Sequence, residues 1–173
     1  MFQSFFLHPK YFFSSLAVWS GLLILVWYSF GKTIGETLGF DLTETETVIG
    51  LGHFVTSEFL WFDIFFAFGA LVFFFVWRSR SPHEWQIWSI LGSALLIYLS
   101  YASVQVSVVI NAWYGPFYND IQTALTGDGG ITASDLYGHF LVFCTIAFPY
   151  ILFIILNRFC LLYTSPSPRD VEE

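Results

Sequence analysis

Residues 81–125 read SPHEWQIWSILGSALLIYLSYASVQVSVVINAWYGPFYNDIQTAL. Between Glu84 and Asp120 there is no Asp, Glu, Lys or Arg. A helix rises about 1.5 Å per residue, so an unbroken one over that gap would be roughly 50 Å long. A bilayer hydrocarbon core is only about 30 Å thick. Two conformations answer the mismatch: one helix that crosses and projects beyond the membrane, or a helix that bends. Gly115-Pro116 is where a bend is expected, because proline removes a backbone donor and crowds the preceding turn.

Working outward, the rest of the 173-residue chain agrees with a membrane environment. It is 56% hydrophobic and 11% charged, and it contains 22 Phe. Soluble domains carry about 25% charged residues, and the apolar runs here are too long for a soluble helical core. The net charge of −7 comes from acids gathered in loops, so it describes no nucleic-acid surface. Cys144 and Cys160 lack metal-ligand or redox spacing, and Cys144 reads as a small packing residue in an apolar run. No Gly-rich phosphate loop, zinc spacing or nucleophile constellation occurs. No enzymatic activity, catalytic residue, metal or cofactor is expected.

The fold class is all-α, a set of polytopic transmembrane helices. Four spans are predicted, at 12–30, 59–77, 85–114 and 136–156, each near or above the roughly 20 apolar residues that crossing requires. The first lacks a small-residue cleavage site and is followed by bulky Trp27, Tyr28 and Phe30, so it is expected to stay uncleaved. Orientation follows from the basic residues. Lys10 precedes span one, Arg78 and Arg80 follow span two, and Arg158 follows span four. Glu36, Asp41, Glu44, Glu46 and Glu58 lie between spans one and two, against Lys32 alone; Asp120, Asp128 and Asp135 lie between spans three and four with no base. An N-terminus in the cytoplasm puts every base but Lys32 inside and both acidic loops outside. Trp19, Trp27, Trp61, Trp77 and Trp85 sit near predicted span ends and read as interfacial anchors. Pro149 is expected to kink span four.

Residues 160–170, CLLYTSPSPRD, match a translated sequencing-adapter string residue for residue. The sequence is therefore expected to divide into a truncated transmembrane domain over 1–159 and an artefactual tail over 160–173, which is set aside from fold reasoning.

Several residues are candidates for function. Asp63 lies inside span two between Phe62 and Ile64. A carboxylate in an apolar setting favours its protonated form, which suits proton binding; placement close to the outer interface, a turn or so from Glu58, is the structural alternative. Glu58 and His139 are the other proton-coupling candidates; a lone interfacial histidine also serves structure. Span three carries a small and polar stripe of Ser89, Ser93, Ser100, Ser103, Ser107 and Asn111, with Leu96 filling the gap, at helical spacing. Such a stripe either packs helices closely or lines a pathway. Gln105 lies almost opposite, near Tyr98 and Tyr101, and its amide calls for protein or water on that face too.

The sequence also resembles the SbmA/BacA family of bacterial inner-membrane peptide transporters. The resemblance rests on Ser81-Pro82-His83, Trp85, Trp88-Ser89-Ile90-Leu91-Gly92, and above all on Asn111-Ala112-Trp113-Tyr114 with Pro116-Phe117-Tyr118 and Ile121-Gln122-Thr123-Ala124-Leu125. The opening Met1-Phe2-Gln3-Ser4-Phe5-Phe6, with Pro9, is similar as well. The resemblance implies a homodimer whose membrane domain is like that of ABC exporters but without an attached ATPase. It implies import of peptides and peptide antibiotics across the inner membrane, driven by the proton gradient. Members are longer than this chain, and their important acidic residues lie largely beyond it. Where the resemblance leads one to expect an acid before the Asn111–Trp113 motif, this chain has Gln105. Two alternatives of other kinds stand beside this reading: the membrane half of an ATP-driven transporter, and a small membrane scaffold protein. The expected partners are membrane lipid, peptide substrates and a second copy of the protein, and not nucleic acid.

Overall fold

A computed structural model of the chain describes residues 8–43, 48–83, 85–127 and 130–164. The opening residues Met1 to Phe6, the acids Glu44, Glu46, Glu84 and Asp128, and the tail from residue 165 onward lie outside the described residues. Regular structure among the described residues is helical throughout. The order is α1 (Pro9–Thr37), a short 3-10 turn (Leu51–Val55), α2 (Ser57–Arg80), a π-helical turn (Ile87–Gly92), α3 (Ser93–Thr126) and α4 (Ala133–Thr164). Four stretches are long and apolar enough to cross a membrane: Pro9–Thr37, Ser57–Arg80, Ile87–Thr126 and Ala133–Phe159.

Each helix is longer than the apolar span that announced it, because backbone hydrogen bonding continues into polar flanks. The largest difference is at Gly115-Pro116. The helix does not stop there: Pro116 sits inside α3, which runs on to Thr126. One proline takes one donor from the ladder, and the turns on either side hold. The 40-residue stretch Ile87–Thr126 measures about 60 Å along its axis at the helical rise per residue. Helix α4 likewise continues through Pro149 and past residue 159 to Thr164.

The chain divides into two compact units. One comprises Met1–Thr45 with Phe54–Leu95, the other Glu46–His53 with Leu96–Glu173.

In the first unit, glycines set how α1 meets α2. Gly31 and Gly35 lie four apart on α1, both buried, and leave a hollow for a large ring. Trp61 of α2 fills it. Its ring is 4% exposed and its indole N–H donates to the Gly31 carbonyl at 2.9 Å. A Cβ at Gly35 would lie 2.9 Å from that indole nitrogen, so a side chain there would push the ring out. The relation is mirrored further along. Trp19 of α1 donates to the Gly69 carbonyl of α2 at 3.0 Å, and Leu23 packs where a Gly69 side chain would be. Trp77 donates to Ser15 Oγ at 3.1 Å. The expectation of tryptophan anchors at span ends is thereby corrected for Trp19, Trp61 and Trp77, which tie one helix to the other. Small residues that allow close backbone approach, joined by polar ties, are how helices associate in lipid. Phe12, Phe73, Phe74 and Ile90 form the adjoining core, with Trp19, Trp77 and Leu91 against it.

Local signals set the ends of these helices. Phe40 N–H reaches back to the Gly35 carbonyl at 3.0 Å, and Gly39, at φ 94°, takes the left-handed conformation that closes α1. Just beyond, the Thr43 hydroxyl and then its N–H hold the Asp41 carboxyl below its ordinary pKa. Thr56 caps α2 by accepting from Phe59 N–H. Arg78 and Arg80 occupy its last turn, where positive charge suits the helix dipole.

Trp61→Phe keeps the ring but removes the donor. It should lower unfolding stability in detergent by about 1 kcal/mol, whereas Trp85→Phe, at an exposed position, should leave it unchanged within error.

Candidate functional site on the α3–α4 hairpin

The second unit is built on a run of buried positions along α3. Leu99, Ala102, Val106, Val109 and Trp113 are buried, at spacings of three and four that place them on one helix face. Ile146 of α4 is fully buried as well. The serine stripe lies one residue out of phase with this face. Ser93, Ser100, Ser107 and Asn111 are exposed and Ser103 is half-buried. Three hydroxyls of the stripe turn back to their own helix: Ser100 donates to the Leu96 carbonyl at 2.9 Å, Ser103 to that of Leu99 at 2.9 Å and Ser107 to that of Ser103 at 3.1 Å. The face that packs within this chain is the neighbouring apolar one, and the serines satisfy themselves locally.

The segment Asn111 to Tyr118 divides its aromatic residues between two faces. Trp113 and Phe117, four apart, stack at 4.5 Å with their planes 16° apart. Phe143 of α4 lies 5.0 Å from Trp113. The Trp113 indole N–H donates to the His139 carbonyl at 3.0 Å. Asp120, seven residues after Trp113, continues this face, and its Oδ2 lies 2.8 Å from His139 Nε2. His139 also packs edge-on to Phe117. A buried ring, a backbone tie and the His139–Asp120 hydrogen bond therefore converge on one turn of α4. Tyr114 and Tyr118 form the other pair, stacked at 5.7 Å and exposed, with Gly115 and Pro116 exposed between the two faces.

The loop end of the hairpin is closed by α4's own cap. The Thr132 N–H and hydroxyl donate to Asp135 Oδ2 at 2.8 and 2.7 Å. This is the capping-box arrangement, with aspartate in place of glutamate, so Asp135 is engaged in starting α4.

A second polar contact lies elsewhere on α3. Gln105 Oε1 is 3.1 Å from His53 Nε2. An amide oxygen can only accept, so the imidazole nitrogen carries the hydrogen. Glu58 and Asp63 stand in the first unit. Glu58 is an exposed residue of the first turn of α2, and Asp63 is half-buried further along with its Oδ1 withdrawn from solvent.

Residues 82–165 match the SbmA/BacA-like family. Over this stretch, just under half of its length, the chain is similar to that family. The SbmA/BacA-like region contains the whole aromatic segment, the Asp120–His139 pair and Gln105, and it begins downstream of His53, Glu58 and Asp63. The family is one of transporters. With four helices long and apolar enough to cross a membrane, the chain has the make-up of a multi-pass membrane protein, and residues 82–165 are similar to a transport family.

The structure joins some candidates and leaves others apart. His139 meets Trp113 and Phe117 of the SbmA/BacA-like motif, while Gln105 meets His53. Two participants were missed from sequence. Asp120 could have been found, because it shares the helix face of Trp113 and Phe117 at i+7. His53 carried no such signal in a short glycine-bounded loop.

Trp113→Ala should destabilise the protein by about 3 kcal/mol, and Tyr114→Ala, on the exposed face, by less than about 1 kcal/mol. The His139 and Asp120 side chains are 21% and 26% exposed. A double-mutant cycle with His139→Gln and Asp120→Asn should therefore show a coupling of about 0.5–1 kcal/mol at neutral pH; a value of zero would mean the pair contributes nothing to holding the hairpin.

Proposed function

We propose that this chain is part of a proton-gradient-driven importer of peptides and peptide antibiotics in the bacterial inner membrane, working as a homodimer. The observation that carries the reading is the SbmA/BacA-like match over residues 82–165, which takes in the aromatic segment of α3 and its partners on α4. The placement of Lys10, Arg78, Arg80 and Arg158 supports an N-terminus in the cytoplasm, with the α1–α2 and α3–α4 loops outside. The absence of charge from Trp85 to Asn119 supports a long α3 seated in the membrane.

Proton coupling needs a group that changes charge within reach of the gradient. Gln105 does not ionise, so the coupling role is assigned elsewhere. Asp63 is the first choice: it is an ionisable group half-buried within an apolar helix, where such residues tend to serve function. Glu58, on the exposed first turn, and His139, paired with Asp120, are second choices. A membrane half driven by ATP is the competing arrangement, and it differs in its energy source.

In cells expressing the protein from its native gene, Asp63→Asn should remove most peptide uptake while leaving its membrane level intact. Normal uptake by this variant would eliminate Asp63 as the coupling group. Uptake that persists when the proton gradient is collapsed, and stops when ATP is depleted, would overturn the proposed energy source.

A further inference from the structure

The chain from the α1–α2 loop contributes a short segment to the second unit. Residues 46–53 group with α3 and α4, whereas the chain before and after them groups with the first unit. Three observations describe how the described part, residues 48–53, is held. Gly50 is buried and has φ 103°, a conformation that disfavours any side chain. A Cβ at Gly50 would lie 3.8 Å from Val142 Cγ1, so the backbone here runs close against α4. His53 then places Nε2 3.1 Å from Gln105 Oε1 on α3, and its own N–H closes the turn on the Gly50 carbonyl at 3.3 Å. One short segment thus touches both arms of the hairpin.

Its apolar side chains do not share in that docking. Val48, Ile49 and Leu51 are all exposed. The segment buries a glycine and half of a histidine, and little else. An element with so little buried apolar area opens at low cost.

We propose that residues 48–53 form a detachable strap, tied across the α3–α4 hairpin by the His53–Gln105 hydrogen bond, that closes the hairpin when docked and uncovers Gln105 when released. That this is the outer side of the membrane rests on the topology proposed above. The strap occupies the Gln105 carbonyl with an imidazole N–H. A peptide N–H carries the same donor chemistry, so a passing peptide backbone competes with the strap for one acceptor.

The test is hydrogen–deuterium exchange on the full chain in detergent micelles, read by mass spectrometry over residues 50–55. Gln105→Leu removes the acceptor and should speed exchange there by about fivefold, the factor one lost hydrogen bond gives. Gln105→Glu keeps an acceptor and should retain protection, and His53→Ala should behave as Gln105→Leu. Peptides from α1 and α2 report whether each variant is folded. Unchanged exchange over 50–55 in folded Gln105→Leu and His53→Ala would overturn the strap. So would loss of protection in α1 and α2 in both variants, since the contact would then be part of the structural core. Exchange requires no transport, so the transport reading and the strap fail independently.

Discussion

An indole N–H inside an apolar helix bundle must find an acceptor within the protein, because lipid offers none. This requirement organises both units. In the first, Trp19 and Trp61 donate in opposite directions, from α1 to α2 and from α2 to α1, and Trp77 adds a third tie to Ser15. In this unit the glycines make room for it: Gly31 and Gly69 offer their carbonyls without a side chain in the way of the ring. In the second unit, Trp113 meets the same requirement by donating to α4.

Charge is placed by the same economy of polar groups. Ion-pairing and capping acids of the second unit sit toward the loop that joins α3 to α4. Asp135 starts α4 by accepting from Thr132, and Asp120 faces His139. Between them and the start of α3, polar side chains are uncharged and look after themselves, the serines through their own helix and Gln105 through His53. Order in the middle of the hairpin therefore comes from shape and single hydrogen bonds.

Much of this was legible in the chain. The charge-free run of α3, the four apolar helices and the resemblance carried by Asn111 to Tyr118 all rest on residue type and spacing, which survive folding unchanged. At Gly115-Pro116, where the sequence suggests a bend, the helix runs on to Thr126, since a long helix loses only one hydrogen bond to a proline. The serine stripe shows a subtler limit. Its register counted Ser89 in step with Ser93, Ser100 and Ser107, but residues 87–92 form a π turn. A π turn winds more residues into each revolution than an α-helix, so faces before and after it fall out of phase. Ile90 is buried in the core of one unit and Leu99 to Trp113 in that of the other. The tryptophans were found at the right positions and given the wrong partner, because hydropathy does not tell lipid headgroups from a glycine carbonyl.

The acceptors chosen by the tryptophans have an evolutionary consequence. Gly31, Gly69 and His139 each receive an indole through the main chain, and every residue type offers a carbonyl. At His139, with no glycine hollow to preserve, the receiving position can drift in identity without loosening the tie, whereas the donor cannot. The imidazole at position 139 is not needed for that tie, and it meets α3 separately, through Asp120 and Phe117.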